Sequence, residues 1–266
     1  LRADNHQEAL QVIQRTRADG VADAETFCLQ AFGQMQKEDW DEASASAARA
    51  QSLAPGNPWA ARLRAALTSR HSGELHLPAE PDAESAEKAL FAGGTILPGS
   101  FRALLQETQC SGPVLDLFCG AGLNAIAAQD VCPGPWTGIE PNAALLQLCA
   151  ERGMYAGLEN LDPRDFLAQT GQYPIILLNE ALGLLASLQP WFSALREHLA
   201  PGGTALAAIP VGRPGLTGHA LFAHSLDSIT QQAERARLTV TFRRSGILRH
   251  IEGIPLHGVI ASFQAS

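Results

Sequence analysis

Val114-Leu115-Asp116-Leu117-Phe118-Cys119-Gly120-Ala121-Gly122-Leu123-Asn124 is the stretch that decides the fold. Val114, Leu115 and Leu117 read as a short buried strand. Gly120 and Gly122 break it, and from Leu123 the pattern turns helical, with Leu123, Ile126 and Ala127 on one face. Strand, glycine turn and helix in that order open a nucleotide-binding βαβ unit. Glycine lets backbone approach a ligand without a Cβ in the way, and the helix start offers N–H groups to an anion. Asp116 is expected at the carboxyl end of the strand, where such folds bind ligands.

Strands and helices alternate downstream. Trp136–Glu140 is a second strand ending in an acid, and 142–152 a helix with Leu145, Leu146 and Cys149 on one face. Residues 154–158 read as a short third strand and 162–169 as a short helix. Residues 173–178 are a fourth strand, apolar along most of its length, as expected when both faces are buried. A helix over 190–199 stops at Pro201-Gly202-Gly203, and 204–210 is a fifth strand. A helix over 225–237 follows, and 238–242 and 258–263 close as an antiparallel pair. The expected fold class is α/β: a doubly wound, mostly parallel seven-stranded sheet with an all-α module before it.

That module is residues 1–70, rich in Ala, Gln, Glu and Arg and without a strand-like run. Ala9 aligns with Ala43, Thr16 with Ala50 and Val21 with Pro55, a spacing of 34, the tetratricopeptide (TPR) period. The segment 24–57 resembles one TPR unit, with Ala31, Trp40, Ala43 and Ala50 at its small and aromatic positions and Pro55 closing it. The helix from Pro58 caps the stack; a plain helical hairpin covering the next domain is the alternative. The half repeat at the start leads us to expect that the natural chain extends upstream of Leu1. Residues 71–98 read as a linker with a short helix over 82–91, and 99–266 as the α/β domain, opened by a helix over 100–107.

Composition limits the function. The 266 residues are 46% hydrophobic and carry a net charge of −8, with a pI near 5.5. Duplex nucleic acid is therefore not the expected partner. No apolar run has membrane-spanning length, and no signal-peptide pattern is read. Cys28, Cys110, Cys119, Cys132 and Cys149 have neither C-x-x-C nor zinc spacing, so no metal is expected. Their odd number implies reduced thiols and a cytoplasmic protein.

Two acids stand at consecutive strand ends. Glu140, one βα unit after the glycines, is placed to hold a ribose diol. Asp116 would face a diphosphate with the wrong sign but suits a cation, such as the ammonium of a methionine moiety. The pair points to S-adenosylmethionine (SAM) rather than NAD.

Residues 112–210 resemble the class I SAM-dependent methyltransferases, through 114–122, Gly138-Ile139-Glu140-Pro141 and Leu199-Ala200-Pro201-Gly202-Gly203. The resemblance implies that Asp116, Gly120 and Gly122 hold the methionine end and Glu140 the ribose. It places Asp162 by the adenine amino group and Asn179 beside the methyl group, with Phe118, Ala121 and Pro141 completing the cofactor-binding set. His219–Ser225 and Leu248–Gly258 are similar to the tail of bacterial predicted TPR-repeat methyltransferases. The chain departs from that family at Phe118, where Gly is usual, at Pro174, where an acid is common, and in the linker. There Ala89-Leu90-Phe91 replaces an aromatic-rich lid. The opening motif also resembles DNA cytosine-5 methyltransferases, but Cys132-Pro133 has their Pro-Cys order reversed and no Glu-Asn-Val follows.

His224 is the candidate general base; its other reading is a helix-start hydrogen bond beside a Ser225 cap. Glu180 is a second candidate base, and Arg249 a candidate for neutralising an acidic substrate or for a structural ion pair. His219 and His257 rank below them. The expected function is methyl transfer from SAM, leaving S-adenosylhomocysteine (SAH), to a small-molecule or protein acceptor, with a protein partner on the TPR-like module. The alternative is a non-catalytic SAM- or SAH-binding protein that uses its repeats to hold a partner.

Overall fold

The computed structural model describes residues 22–76, 97–108, 110–168, 171–179 and 181–266. The upstream half repeat, the linker helix over 82–91, the lid remnant and Glu180 lie outside them. The chain divides into two compact units, and the first takes in Leu184–Ala186 and Gly215–Phe222 from later in the sequence.

The first unit is built on three helices, α1 (Ala24–Gln36), α2 (Trp40–Leu53) and α3 (Pro58–Ser69). Asp23 caps α1 by accepting from the Thr26 N–H at 2.8 Å. Asn57 caps α3 in the same way, accepting from Ala60, with Pro58 in its first turn. Ala31, Ala43, Ala47 and Ala50 have no exposed surface. Alanine along facing helices lets the backbones approach closely, and a larger side chain there would overpack the contact by roughly 1–3 kcal/mol. Trp40 lies under the Arg70 guanidinium, 5.5 Å from its ring centre. The later segment joins this unit through Gly218 and His219. A Cβ on Gly218 would come within 2.6 Å of the Phe32 ring. The His219 ring stands edge-on to Phe32 at 5.1 Å, so His219 packs there. Ala66, Leu75, Ala220 and Phe222 form a small apolar cluster beside it.

The second unit is the α/β domain. Its strands are β1 (Val114–Leu117), β2 (Trp136–Ile139), β3 (Gly157–Glu159), β4 (Tyr173–Leu178), β5 (Leu199–Pro210), β8 (Leu238–Ile251) and β9 (Ile254–Ala265). They form one seven-stranded sheet in the order β3-β2-β1-β4-β5-β9-β8. All pairs are parallel except those made by β9, which runs against β5 and β8. A separate two-stranded sheet pairs β6 (Gly215–Leu216) with β7 (Phe222–Ala223), and all of it but Ala223 belongs to the first unit. The helices of this unit are α4 (Leu97–Glu107), α5 (Leu123–Ala128), α6 (Ala143–Arg152), α7 (Pro163–Leu167), α8 (Gln189–His198) and α9 (Leu226–Arg235).

Alternation along the strands divides the core. Val114, Ile175, Leu177, Leu206 and Ala208 pack with Phe101 and Leu105 of α4 and Ala125 and Ala128 of α5. Phe192 of α8 meets Phe263 of β9 with ring centres 4.8 Å apart.

The structure differs from the sequence reading in four places. The closing strands are far longer than expected, because both extend into one hairpin around Glu252-Gly253. Pro201-Gly202-Gly203 lies inside β5, and a Cβ on Gly203 would meet three carbonyl oxygens within 3.0 Å. Helix α5 buries Asn124, Ala125 and Ala128 and leaves Ile126 44% exposed, because the sheet accepts only small side chains and the amide that Asp116 needs. Likewise α6 buries only Cys149. Finally, Cys110 and Cys132 are paired as a disulfide rather than reduced. They precede β1 and β2, whose parallel pairing brings their Cα atoms to 5.2 Å, a proximity that spacing alone does not reveal. Cys28, Cys119 and Cys149 are buried and outside this disulfide.

Candidate active site

Parallel strands β1 to β5 all present their carboxyl ends at one edge of the sheet, and the turns leaving that edge carry the predicted residues. After β1 the chain turns sharply. Phe118 takes φ +57°, Gly120 +56° and Gly122 +80°. A left-handed phenylalanine is uncommon, and its ring lies 6.0 Å from that of Trp191 on α8.

The three glycines of this region do different things. A Cβ on Gly120 would meet nothing within 4 Å, so the turn is open there. A Cβ on Gly122 would press on Cys149 Sγ at 3.0 Å and the Tyr155 ring at 3.1 Å. On Gly138 of β2 it would meet Leu158, Cys119 Sγ and Tyr155 within 2.9 Å. Gly120 thus faces open space, whereas Gly122 and Gly138 make room for packing inside the fold. Ala121 is buried, and its carbonyl accepts from the Arg152 guanidinium.

Glu140 locks β2 to this turn. The Gly120 N–H donates to its Oε2 at 3.0 Å and the Asn142 N–H to its Oε1 at 2.9 Å. A carboxylate has about four acceptor positions, so two are left for ligand hydroxyls. Burial pushes its pKa up to about 7, against the lowering by those two N–H donors. Asn160 donates to the carbonyls of Glu140 and Pro141, tying the ends of β2 and β3. Asp162 caps α7 through the Arg164 N–H and pairs with the Arg164 guanidinium.

Asp116 sits deeper than expected. It has no exposed surface, Tyr155 Oη donates to its Oδ2 at 2.7 Å, and Asn124 Nδ2 lies 3.2 and 3.3 Å from its two oxygens. Burial raises its pKa to about 7, with Glu140 adding to the rise and the Tyr155 and Asn124 bonds opposing it. A carboxylate enclosed in this way acts on a ligand through its field and through the turn.

Asn179 follows β4, and its Oδ1 is buried without a hydrogen-bond partner. His224 is 3% exposed. Its N–H donates to the Pro210 carbonyl, and its Nε2 lies 3.2 Å from the Leu182 carbonyl, which requires a proton on that nitrogen. His224 therefore braces the segment after β4 against the exit of β5, a different post from the open general base expected of it. Ser225 caps α9 by accepting from Ser228. Arg249 lies on β8, with β5 and β9 between it and β4. β5 ends where Pro210 pairs with Gly258, so Arg249 belongs to the hairpin that overhangs the carboxyl edge.

Sequence reading missed Tyr155, Asn124 and Arg152. Residues 154–158 read as a short third strand, but β3 begins only at Gly157 and Tyr155 lies in the loop before it. Asn124, polar on the buried side of a helix that follows an acid-bearing strand, was the available signal. Among the described residues no group of acids, histidines and cysteines is arranged to hold a metal, and no helix is long and apolar enough to cross a membrane.

The open turn at Gly120, the ribose-type acid and the orphaned amide oxygen of Asn179 fit an adenosyl amino acid. Residues 114–203 match the family model of a methyltransferase domain. No curated protein matches the chain. Solved structures do. DesVI of Streptomyces venezuelae is 14% identical, with a TM-score of 0.52 over 70% of this chain and 100% of its own. A protein whose structure concerns conversion of a disulfide bond into a thioacetal group during echinomycin biosynthesis is 17% identical, with a TM-score of 0.53 over 65% of this chain and 86% of its own. These likenesses show the fold. Together with the match over 114–203 and the sheet order, they give this chain a methyltransferase domain on the class I fold and leave its methyl acceptor open.

Proposed function

We propose that the carboxyl edge of the second unit binds SAM and that the chain transfers its methyl group to a small molecule or a polypeptide side chain. Glu140 carries the reading: an acid one βα unit past the glycine turn, bonded to that turn, with acceptor positions left for a ribose diol. In this reading Phe118, Gly120, Ala121 and Gly122 shape the methionine end, with Asp116 beneath them. Pro141 and Asp162 border the adenine, and Asn179 Oδ1 takes a donor beside the methyl group.

When bound, SAM supplies an electrophilic methyl on a sulfonium and departs as SAH. The protein's part is to fix donor and acceptor in line and to exclude water, which supplies much of the rate in such transfers. His224 serves by holding the Leu182 segment, and so the end of β4, in place. Arg249, on the overhanging hairpin, borders the acceptor side, and Glu180 stays a candidate base by its sequence position. The net charge of −8 favours an acceptor other than a phosphate backbone, whose attraction dominates nucleic-acid affinity.

The first unit, with its buried alanines at TPR-like positions, offers a surface for a protein acceptor or carrier. Calorimetry with SAM, SAH and NAD tests the cofactor reading. SAM and SAH are expected to bind and NAD not; binding of NAD alone would refute it.

A further inference from the structure

We propose that Tyr155 is a positioning residue of the cofactor site, acting through Asp116 rather than by touching the cofactor. The inference rests on the cofactor reading above and adds to it a residue which that reading does not include.

The geometry is specific. Tyr155 leaves the end of α6, and its ring fills the space that Gly122 and Gly138 leave open beneath the glycine turn. It stands edge-on to Trp136, 6.2 Å away. From there its hydroxyl donates to Asp116 at 2.7 Å. The same helix end supplies Cys149 against Gly122 and the Arg152 guanidinium to the Ala121 carbonyl. One helix terminus therefore holds the turn by packing, by its carbonyl and by the carboxylate behind it.

A fully enclosed carboxylate is costly unless donors satisfy it. Asp116 has two, Asn124 and Tyr155. The ionisable groups that face it are Glu140 from β2, Cys119 from the turn and Tyr155 itself, with Cys149 of α6 behind Cys119. Its β4 neighbour, Leu177, brings none. The Arg152 guanidinium donates to the Ala121 carbonyl. Tyr155, together with Asn124, thus favours the charged form of Asp116 when a cation arrives.

The test is Tyr155→Phe, which keeps the ring and deletes the hydroxyl. SAH binding is titrated from pH 6 to 8.5 for wild type, Tyr155→Phe, Asp116→Asn and the double variant. If the hydroxyl holds the carboxylate charged, its loss moves the rise of affinity from near pH 7 to near pH 8. Affinity then falls about ninefold at pH 6 and about fivefold at pH 7, and stays within about threefold of wild type at pH 8.5, as a shift of one pH unit requires. In the Asp116→Asn background the substitution has no effect on the pH profile.

An equal loss at every pH, a loss that persists without Asp116, or no loss at pH 7 would each overturn the assignment. Wild type that binds no SAH would refute the cofactor reading instead. The Tyr155 assignment would still be read from thermal unfolding. There Tyr155→Phe is expected to extend the pH range over which stability falls from about 7 to about 8, and an unchanged range would overturn it.

Discussion

Replacing Glu140 with Gln changes one atom and tests both jobs of that side chain. The carboxylate accepts from Gly120 on one oxygen and from Asn142 on the other. An amide has a single acceptor oxygen, so its NH2 group must face one of those donors, and fewer lone pairs remain for a ribose diol. Loss of one charge-assisted bond weakens SAH binding by roughly 1.5–3 kcal/mol, or about 10- to 150-fold. The wild-type acid titrates near 7, whereas the amide does not titrate. With only the charged form binding, the ionised fraction rises about tenfold between pH 6 and pH 8. The ratio of variant to wild-type Kd should therefore grow about tenfold over that range. Calorimetric titration at both pH values in constant salt reads it. A ratio that stays flat, or a variant within threefold of wild type at pH 8, would refute the assignment of Glu140 as a charged cofactor ligand.

Three further outcomes follow from the same contacts. Asp116 and Glu140 hold their protons in the folded chain up to about pH 7 and lose them near pH 4 when unfolded. The folded state thus binds more protons between those values. Stability should fall as pH rises through that window and level above it, and Asp116→Asn should flatten the thermal-unfolding profile. Gly138→Ala places a methyl within 2.9 Å of Leu158, Cys119 and Tyr155 and should destabilise the domain by roughly 1–3 kcal/mol in denaturant unfolding; no change in midpoint would show that β2 yields freely. His224→Ala removes the brace on the Leu182 carbonyl. It should leave SAH affinity within about threefold, under 1 kcal/mol, while lowering turnover; wild-type turnover would end its role.

The legible part of this molecule was its chain-order grammar. The run from Val114 to Gly122 is a local signal for β1 and the turn after it, and the alternation downstream placed the other four parallel strands. What escaped were features that exist only across strands. Tyr155 reaches Asp116 from 39 residues away, and no periodicity in 154–158 marks a phenol for a buried acid. The pairing of Cys110 with Cys132 follows from parallel register. The face of α5 was misread because Ile126 looks like core, yet Asn124 is buried to serve Asp116. Membership of Gly215–Phe222 in the helical unit rests on Gly218 fitting against Phe32, a contact across nearly two hundred residues.

The central claim is methyl transfer, and its most direct measurement is SAH formation. Purified wild-type protein and Glu140→Ala are incubated with methyl-labelled SAM and a fractionated extract of small molecules and proteins, and SAH and labelled product are counted. We expect SAH and one labelled acceptor fraction in equal amounts with wild type and neither with Glu140→Ala. Binding of SAM by wild type with no SAH formed in any fraction would contradict the account and leave a cofactor-binding protein without catalysis.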